Sequence, residues 1–236
     1  MTVATCGTVS ALTLGLPAST AIPAAKGTLP KQMFMTKAPV STKLKQRYTN
    51  DVASISMLSL MRAANTGIAD GARIHEMLVM GLRITGMEAP VEVIDHIASQ
   101  RSSGIVFAVV REVEREGTRH EECAFAVRRN VPVKPGHVPV TKVYVGDWHP
   151  VGEAMLELAG STLDEAWETL CAQAILDSTD GNDLDARIAR REQTVALRAQ
   201  AEKLERDHAR AKNPAQRNEI YAKLHKIRKQ LETLDA

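Results

Sequence analysis

Aromatic residues are scarce. Three Phe, three Tyr and two Trp make up 3% of the 236 residues. So few rings cannot build a broad base-stacking platform, so any contact with nucleic acid would be electrostatic. Cysteine is scarcer still. Cys6, Cys123 and Cys171 are odd in number, far apart and form no C-x-x-C pair. That excludes a disulfide framework and points to a reducing, cytoplasmic setting. No apolar run approaches the roughly 20 residues that span a bilayer, so no membrane partner is expected. The first 25 residues carry no charge. They lack the basic start of a secretory signal, and Thr and Gly interrupt their apolar stretch. Familiar catalytic signatures are missing too. There is no phosphate loop of Walker type, no G-x-G-x-x-G, no H-E-x-x-H and no G-x-S-x-G. No catalytic residue is assigned, and no cofactor or metal is expected.

What remains has ordinary globular proportions, 44% hydrophobic and 25% charged. The net charge of +2 hides an asymmetry. Residues 1–47 carry +6 with no acid, residues 48–183 carry −9, and residues 184–236 carry +5. The two ends are suited to a polyanion, or to docking on the acidic middle of the same chain.

Nine of the ten prolines precede residue 151, so strands and loops belong to the first two-thirds and helix to the last third. Residues 14–40, with four prolines, read as extended or looped. Leu44, Tyr48, Val52, Ile55 and Leu58 suit one helix from about Lys43 to Arg62. Ile74 to Ile84 reads as a strand. Pro90 starts a short helix with Val91, Ile94 and Ile97 on one side. Ile105 to Val110 is a central strand, rich in β-branched residues. Glu116-Gly117-Thr118 turns the chain, and Cys123 to Val127 returns antiparallel. Residues 131–139 form a loop before a strand at Val140 to Val145. Leu163 to Leu176 is a helix opened by a Thr162/Glu165 capping box, with Trp167 and Cys171 on its buried face.

The last 53 residues pattern differently. Leu197, Ala201, Leu204, His208 and Ala211 recur at steps of four and three, as do Ile220, Leu224, Ile227, Leu231 and Leu234. That is a coiled-coil seam. Asn213-Pro214 separates the two helices, so Leu204 faces Ile220, Ala201 faces Leu224 and Leu197 faces Ile227. The result is an antiparallel hairpin whose first arm, about Leu184 to Lys212, is about 42 Å long. A pair of helices buries too little to stand alone, so it needs the body, a second copy or another protein.

Several polar clusters invite a functional reading. Lys43, Lys45 and Arg47 end the acid-free segment. Arg128 and Arg129, with Lys134 and His137 beyond, form a basic cluster suited to a phosphate or a carboxylate, or a solvated strand end. Arg187, Arg190, Arg191 and Arg198 line one side of the first hairpin helix, suited to a nucleic-acid backbone or to water. Glu112, Glu114 and Glu116 align along a strand end. With Asp51 and Glu76, Glu112 and Glu114 are the acids that a divergent Mg²⁺-dependent nuclease would use. A charged hairpin rim is the plainer reading. His120, Cys123, His137 and His149 are zinc-ligand types, but their spacing matches no standard site.

A set of motifs resembles one uncharacterised bacterial family known as a domain of unknown function. The motifs are Leu16-Pro17-Ala18-Ser19-Thr20, Leu29-Pro30-Lys31-Gln32-Met33-Phe34 and the apolar strand before Arg111. Val145-Gly146-Asp147-Trp148, the Leu163–Ile175 helix after Leu158-Ala159-Gly160, and the charged coiled-coil tail complete it. The likeness covers nearly the whole chain. It implies a setting beside Swi/Snf-type helicases and DNA methyltransferases in phage-defence, restriction-like clusters. It transfers no reaction and no catalytic residue.

The expected fold is therefore α+β: a mostly antiparallel sheet flanked by helices in residues 1–183, then a helical hairpin in 184–236. The expected role is a non-catalytic accessory subunit that docks a helicase or methyltransferase and touches DNA backbone. The alternatives are the divergent nuclease and a homodimer built through the tails.

Overall fold

The computed structural model describes residues 2–36, 40–133, 136–138 and 140–235. The chain forms two compact units, Met1–Asn182 and Asp183–Ala236.

The first unit opens with a short hairpin, β1 (Thr5–Cys6) and β2 (Val9–Ser10). Residues 14–36, expected to be extended or looped, hold a 3-10 turn at Ala18–Thr20, α1 (Ala24–Gly27), β3 (Thr28–Leu29) and α2 (Lys31–Met35). The prolines stand just before these elements, where a missing N–H is harmless. Next come α3 (Thr42–Asn50), β4 (Val52–Met61), α4 (Ala63–Thr66), β5 (Met77–Ile84) and α5 (Val91–Ser99). They are followed by β6 (Gly104–Arg115), β7 (Thr118–Val131), β8 (Val140–Val145), β9 (His149–Pro150) and α6 (Leu163–Leu176).

The main sheet runs β3-β4-β5-β6-β7-β8, with β9 pairing β7 in line with β8. Its pairs are antiparallel except β5 and β6, which are parallel and joined through α5. The fold is thus α+β with a mixed sheet. Phe34, Tyr48 and the α5 residues Val93, Ile94 and Ile97 cover one face, over Leu78, Met80, Leu82, Phe107 and Val109. On the opposite face Gly81 lies against Cys6, and Gly104 lies against the Trp167 ring of α6.

The long helix expected from Lys43 to Arg62 is a correction. Helix α3 ends at Asn50 and β4 follows. Two register irregularities in β4, between Val52 and Ser54 and between Met57 and Ser59, break its alternation. Val52, Ile55, Leu58 and Met61 are all buried, a spacing of three that imitates a helix face. Strand β5 starts at Met77, three residues later than expected, and is buried on both faces. In α5, Val91 points outward and Val93 inward, contrary to the expected face. Strand β7 is far longer than Cys123–Val127. Glu116 and Gly117 both take positive φ, which suits the tight turn from β6. Lys134, Pro135 and Pro139 of the expected loop lie outside the described residues. The box opening α6 is offset: Thr162 Oγ1 accepts from Glu165 N–H, while the Glu165 carboxylate accepts from Ser161 N–H.

The second unit comprises α7 (Leu184–Arg210) and α8 (Pro214–Asp235), a two-helix hairpin. Helix α7 stops two residues short of Lys212. Asn213 Oδ1 accepts the Ala215 N–H at 2.9 Å, capping α8. Leu197, Ala201, Ala211 and Leu224 are buried. Leu204, Ile220, Ile227, Leu231 and Leu234 are half-buried. Arg228 and Glu205 bridge the helices at 2.8 Å, and His208 stacks obliquely on Tyr221.

Candidate functional site

One hollow on the first unit is a groove of about 630 Å³. Helix α3 contributes Lys43, Leu44 and Arg47, helix α5 contributes Val91, Glu92, Asp95, His96 and Ser99, and β8 contributes Thr141 to Val143. A polar contact beneath it links the two helices. The Tyr48 hydroxyl lies 2.8 Å from His96 Nδ1, with the rings edge to face. Burial pushes the Tyr48 hydroxyl pKa up and, against the opposing pull of Asp95, the His96 pKa down. Both groups are therefore neutral near pH 7, and this buried pair bears no net charge. Gln100 donates to Phe34 O at 2.9 Å and leaves its own Oε1 buried without a partner.

Around the groove, basic and acidic groups meet. Lys43 and Arg47 share Glu92, at 3.4 and 3.6 Å, and Arg47 also bonds Asp51 at 2.8 Å. Arg128 pairs with Asp95 at 2.7 Å, and the nearly buried Arg129 pairs with Glu168 at 2.8 Å. The structure thus brings Lys43, Arg47 and Arg128 together, and acids of the same unit answer all three. Lys45 lies exposed elsewhere on α3. Arg187, Arg190, Arg191 and Arg198 lie along α7. Arg190 and Arg198 are exposed, and Arg187 and Arg191 are half-buried.

The acids weighed for metal chemistry are dispersed and bonded. Glu76 precedes β5 and accepts from Arg62 and from Ser103. Burial would raise its pKa, but those bonds hold it below the usual carboxylate range. Glu112 is bonded to Arg119 at 3.1 Å and lies near Arg83. Glu76 sits beside Gly104 at the start of β6, so Glu112 is about 26 Å along that strand. Asp51 is held by Arg47. Glu114 projects from the exposed end of β6. Among the described residues no three His, Cys, Asp or Glu side chains converge as metal ligands would. Cys123 is buried opposite His149, and burial raises its thiol pKa to about 12, so it carries no thiolate near pH 7.

The family-like motifs play structural parts. Ser59 donates to Thr20 at 2.8 Å inside the core, and Thr20 donates to Pro17 O. Ser19 donates to Asn65 O at 2.7 Å. Lys31 donates to Tyr48 O and Val52 O, closing the C-terminal end of α3. A Cβ on Gly146 would stand 2.4 Å from Ala174 O, so only glycine lets β8 run this close to α6. Trp148 lies under the Arg111 guanidinium at 3.9 Å, and Arg111 in turn grips the buried Glu122.

Compared with protein families, residues 14–231 match the model of the domain of unknown function DUF4391. The chain belongs to the DUF4391 family. The match begins just before Leu16-Pro17-Ala18 and runs into the last turns of α8, so in DUF4391 the hairpin is part of the domain. Neither the curated proteins nor the solved structures yield a match. Among the described residues of this DUF4391 chain, no helix is long and apolar enough to cross a membrane.

The sequence reading missed the Tyr48–His96 pair and the cluster in which Arg111 and Arg115 both bond the buried Glu122. The first joins residues 48 apart. The second is split over two strands whose register the sequence does not reveal. Arg111 before the β6–β7 turn was the only signal for it.

Proposed function

We propose that this DUF4391 protein is a non-catalytic accessory subunit, acting in the cytoplasm and docking a larger partner through its C-terminal hairpin. The partner class is a helicase or a DNA methyltransferase of a phage-defence, restriction-like assembly. The observation that carries this reading is the hairpin itself. It is a compact unit of its own, and five of its apolar seam positions remain only half-buried. Apolar side chains at 4-3 spacing on a two-helix unit favour burial against a further surface. The family's extent supports the reading, because the hairpin is included in it. The dispersal of the carboxylates argues in the same direction.

DNA backbone contact belongs to the same proposal, through the arginines of α7. Replacing Arg187, Arg190 and Arg191 by Glu weakens binding to duplex DNA and flattens its salt dependence, by about 0.9 of a log unit in slope for each phosphate no longer neutralised. Fluorescence anisotropy across a salt series measures this. An unchanged slope removes DNA from the proposal. Affinity capture from the native host, read by mass spectrometry, tests the partner class. Light scattering on the full chain over a concentration series distinguishes it from a tail-mediated homodimer.

A further inference from the structure

The groove on the first unit has a property that its charges do not explain. Thr141, Lys142 and Val143 all line it. Successive side chains of a strand point to opposite faces, so three consecutive residues border one hollow only where it meets the strand edge-on. The sheet ends there. Strand β8 pairs with β7 on one side, and among the described residues no strand pairs with its other side. An outer strand presents backbone N–H and C=O groups at alternate residues. Here that edge opens into a trough walled by α3 and α5.

We propose that the outer edge of β8 receives an extended peptide as an added strand, seated in this trough, and that the peptide alternates apolar with acidic residues. Sheet-edge addition of this kind draws affinity from main-chain hydrogen bonds and specificity from alternate side chains. The helical wall facing such a strand offers Leu44 and Val91 for its apolar set. Val91 is 42% exposed, and Val140, at the head of β8, is 53% exposed. The trough is lined by three cations, Lys43, Arg47 and Lys142, and two acids, Glu92 and Asp95. Asp95 is engaged by Arg128 and Arg47 is held by Asp51 at 2.8 Å, while Lys43 has Glu92 at 3.4 Å, a carboxylate that also lies 3.6 Å from Arg47. Lys43 is 77% exposed. Exposed ion pairs of that length are weak, so an incoming carboxylate competes readily with Glu92. A cationic peptide would meet Lys142 on the strand and Lys43 and Arg47 across from it.

This site lies on the first unit and does not rest on the hairpin. The test uses the full ¹⁵N-labelled chain and an acetylated ten-residue peptide alternating valine and glutamate. Two derivatives are N-methylated, one at every valine and one at every glutamate, and a fourth peptide carries lysine for glutamate. In strand addition only one alternate set of peptide N–H groups points at β8. The expected result is amide shifts at residues 140–145 and in α3 and α5. One methylated set should bind at least tenfold more weakly, the other should bind as the parent does, and the lysine peptide should bind at least tenfold more weakly. Lys43→Glu combined with Lys142→Glu should weaken the glutamate peptide by a similar factor while the amide spectrum keeps the dispersion of the folded chain. Equal binding of both methylated sets, equal binding of the lysine peptide, shifts elsewhere, or no binding at millimolar peptide would overturn the proposal.

Discussion

Asp164 accepts the backbone N–H groups of Ala72 and Ile74, each at 2.8 Å, and of Arg73 at 3.2 Å. One carboxylate at the start of α6 thereby fixes the loop before β5. Desolvation would raise its pKa, but these bonds and the Arg73 charge together hold it below the usual Asp value. A folded-state pKa below the unfolded one gives stability above the unfolded value, near 4, and loses it as pH falls through the folded value. Asp164→Asn should therefore lower the melting temperature at pH 7, and the two proteins should converge toward pH 2 in thermal scans. A pH-independent gap would contradict this. At Gly146 the argument is steric. Gly146→Ala drives a Cβ into the Ala174 carbonyl and should cost about 1–3 kcal/mol in urea unfolding. The buried places of Trp167 and Cys171 were legible, because helical spacing marks a core face. The parts played by Lys31 and Thr20 were not, because their partners lie 17 to 39 residues away.

At the scale of elements, legibility followed the regularity of the pattern. Helix α6, strand β8 and the two arms of the hairpin have clear periods and firm ends, and they stand close to where the pattern placed them. Strand β4 failed because bulges shift its phase, so its buried residues recur every three positions. Strand β5 and the parallel β5-α5-β6 unit were half visible, since a strand buried on both faces has no alternation to read. For the hairpin, the seam reading makes a direct demand. Leu224→Asp places a carboxylate at a buried position and should destabilise the hairpin by at least about 2 kcal/mol. Circular dichroism should show a fall in helix content, and limited proteolysis should cut first within 183–236. Unchanged helicity and unchanged protease resistance would refute the pairing.

At the scale of the whole molecule, charge reads differently by region. The N-terminal excess of +6 is partly neutralised within the first unit, since Lys43 and Arg47 face Glu92 and Asp51, and Lys31 caps a helix. In that segment the plainer alternative, docking on the acidic middle of the chain, accounts for the pairs that are seen. Residues 184–236 carry +5 along two long helices, a charge that suits a polyanion. The scarcity of aromatics restricts such binding to phosphates. The partner surface was legible only as a seam with more apolar positions than two helices bury, and its occupant is not written in the pattern. The proposed docking of a helicase or methyltransferase on the hairpin is open to direct test. The most direct measurement is quantitative mass spectrometry of proteins captured from the native host with the wild-type chain and with Leu224→Asp. The account predicts a helicase or a DNA methyltransferase enriched at least tenfold by the wild-type chain and absent with Leu224→Asp. Capture of neither, or equal capture by both chains, would contradict it.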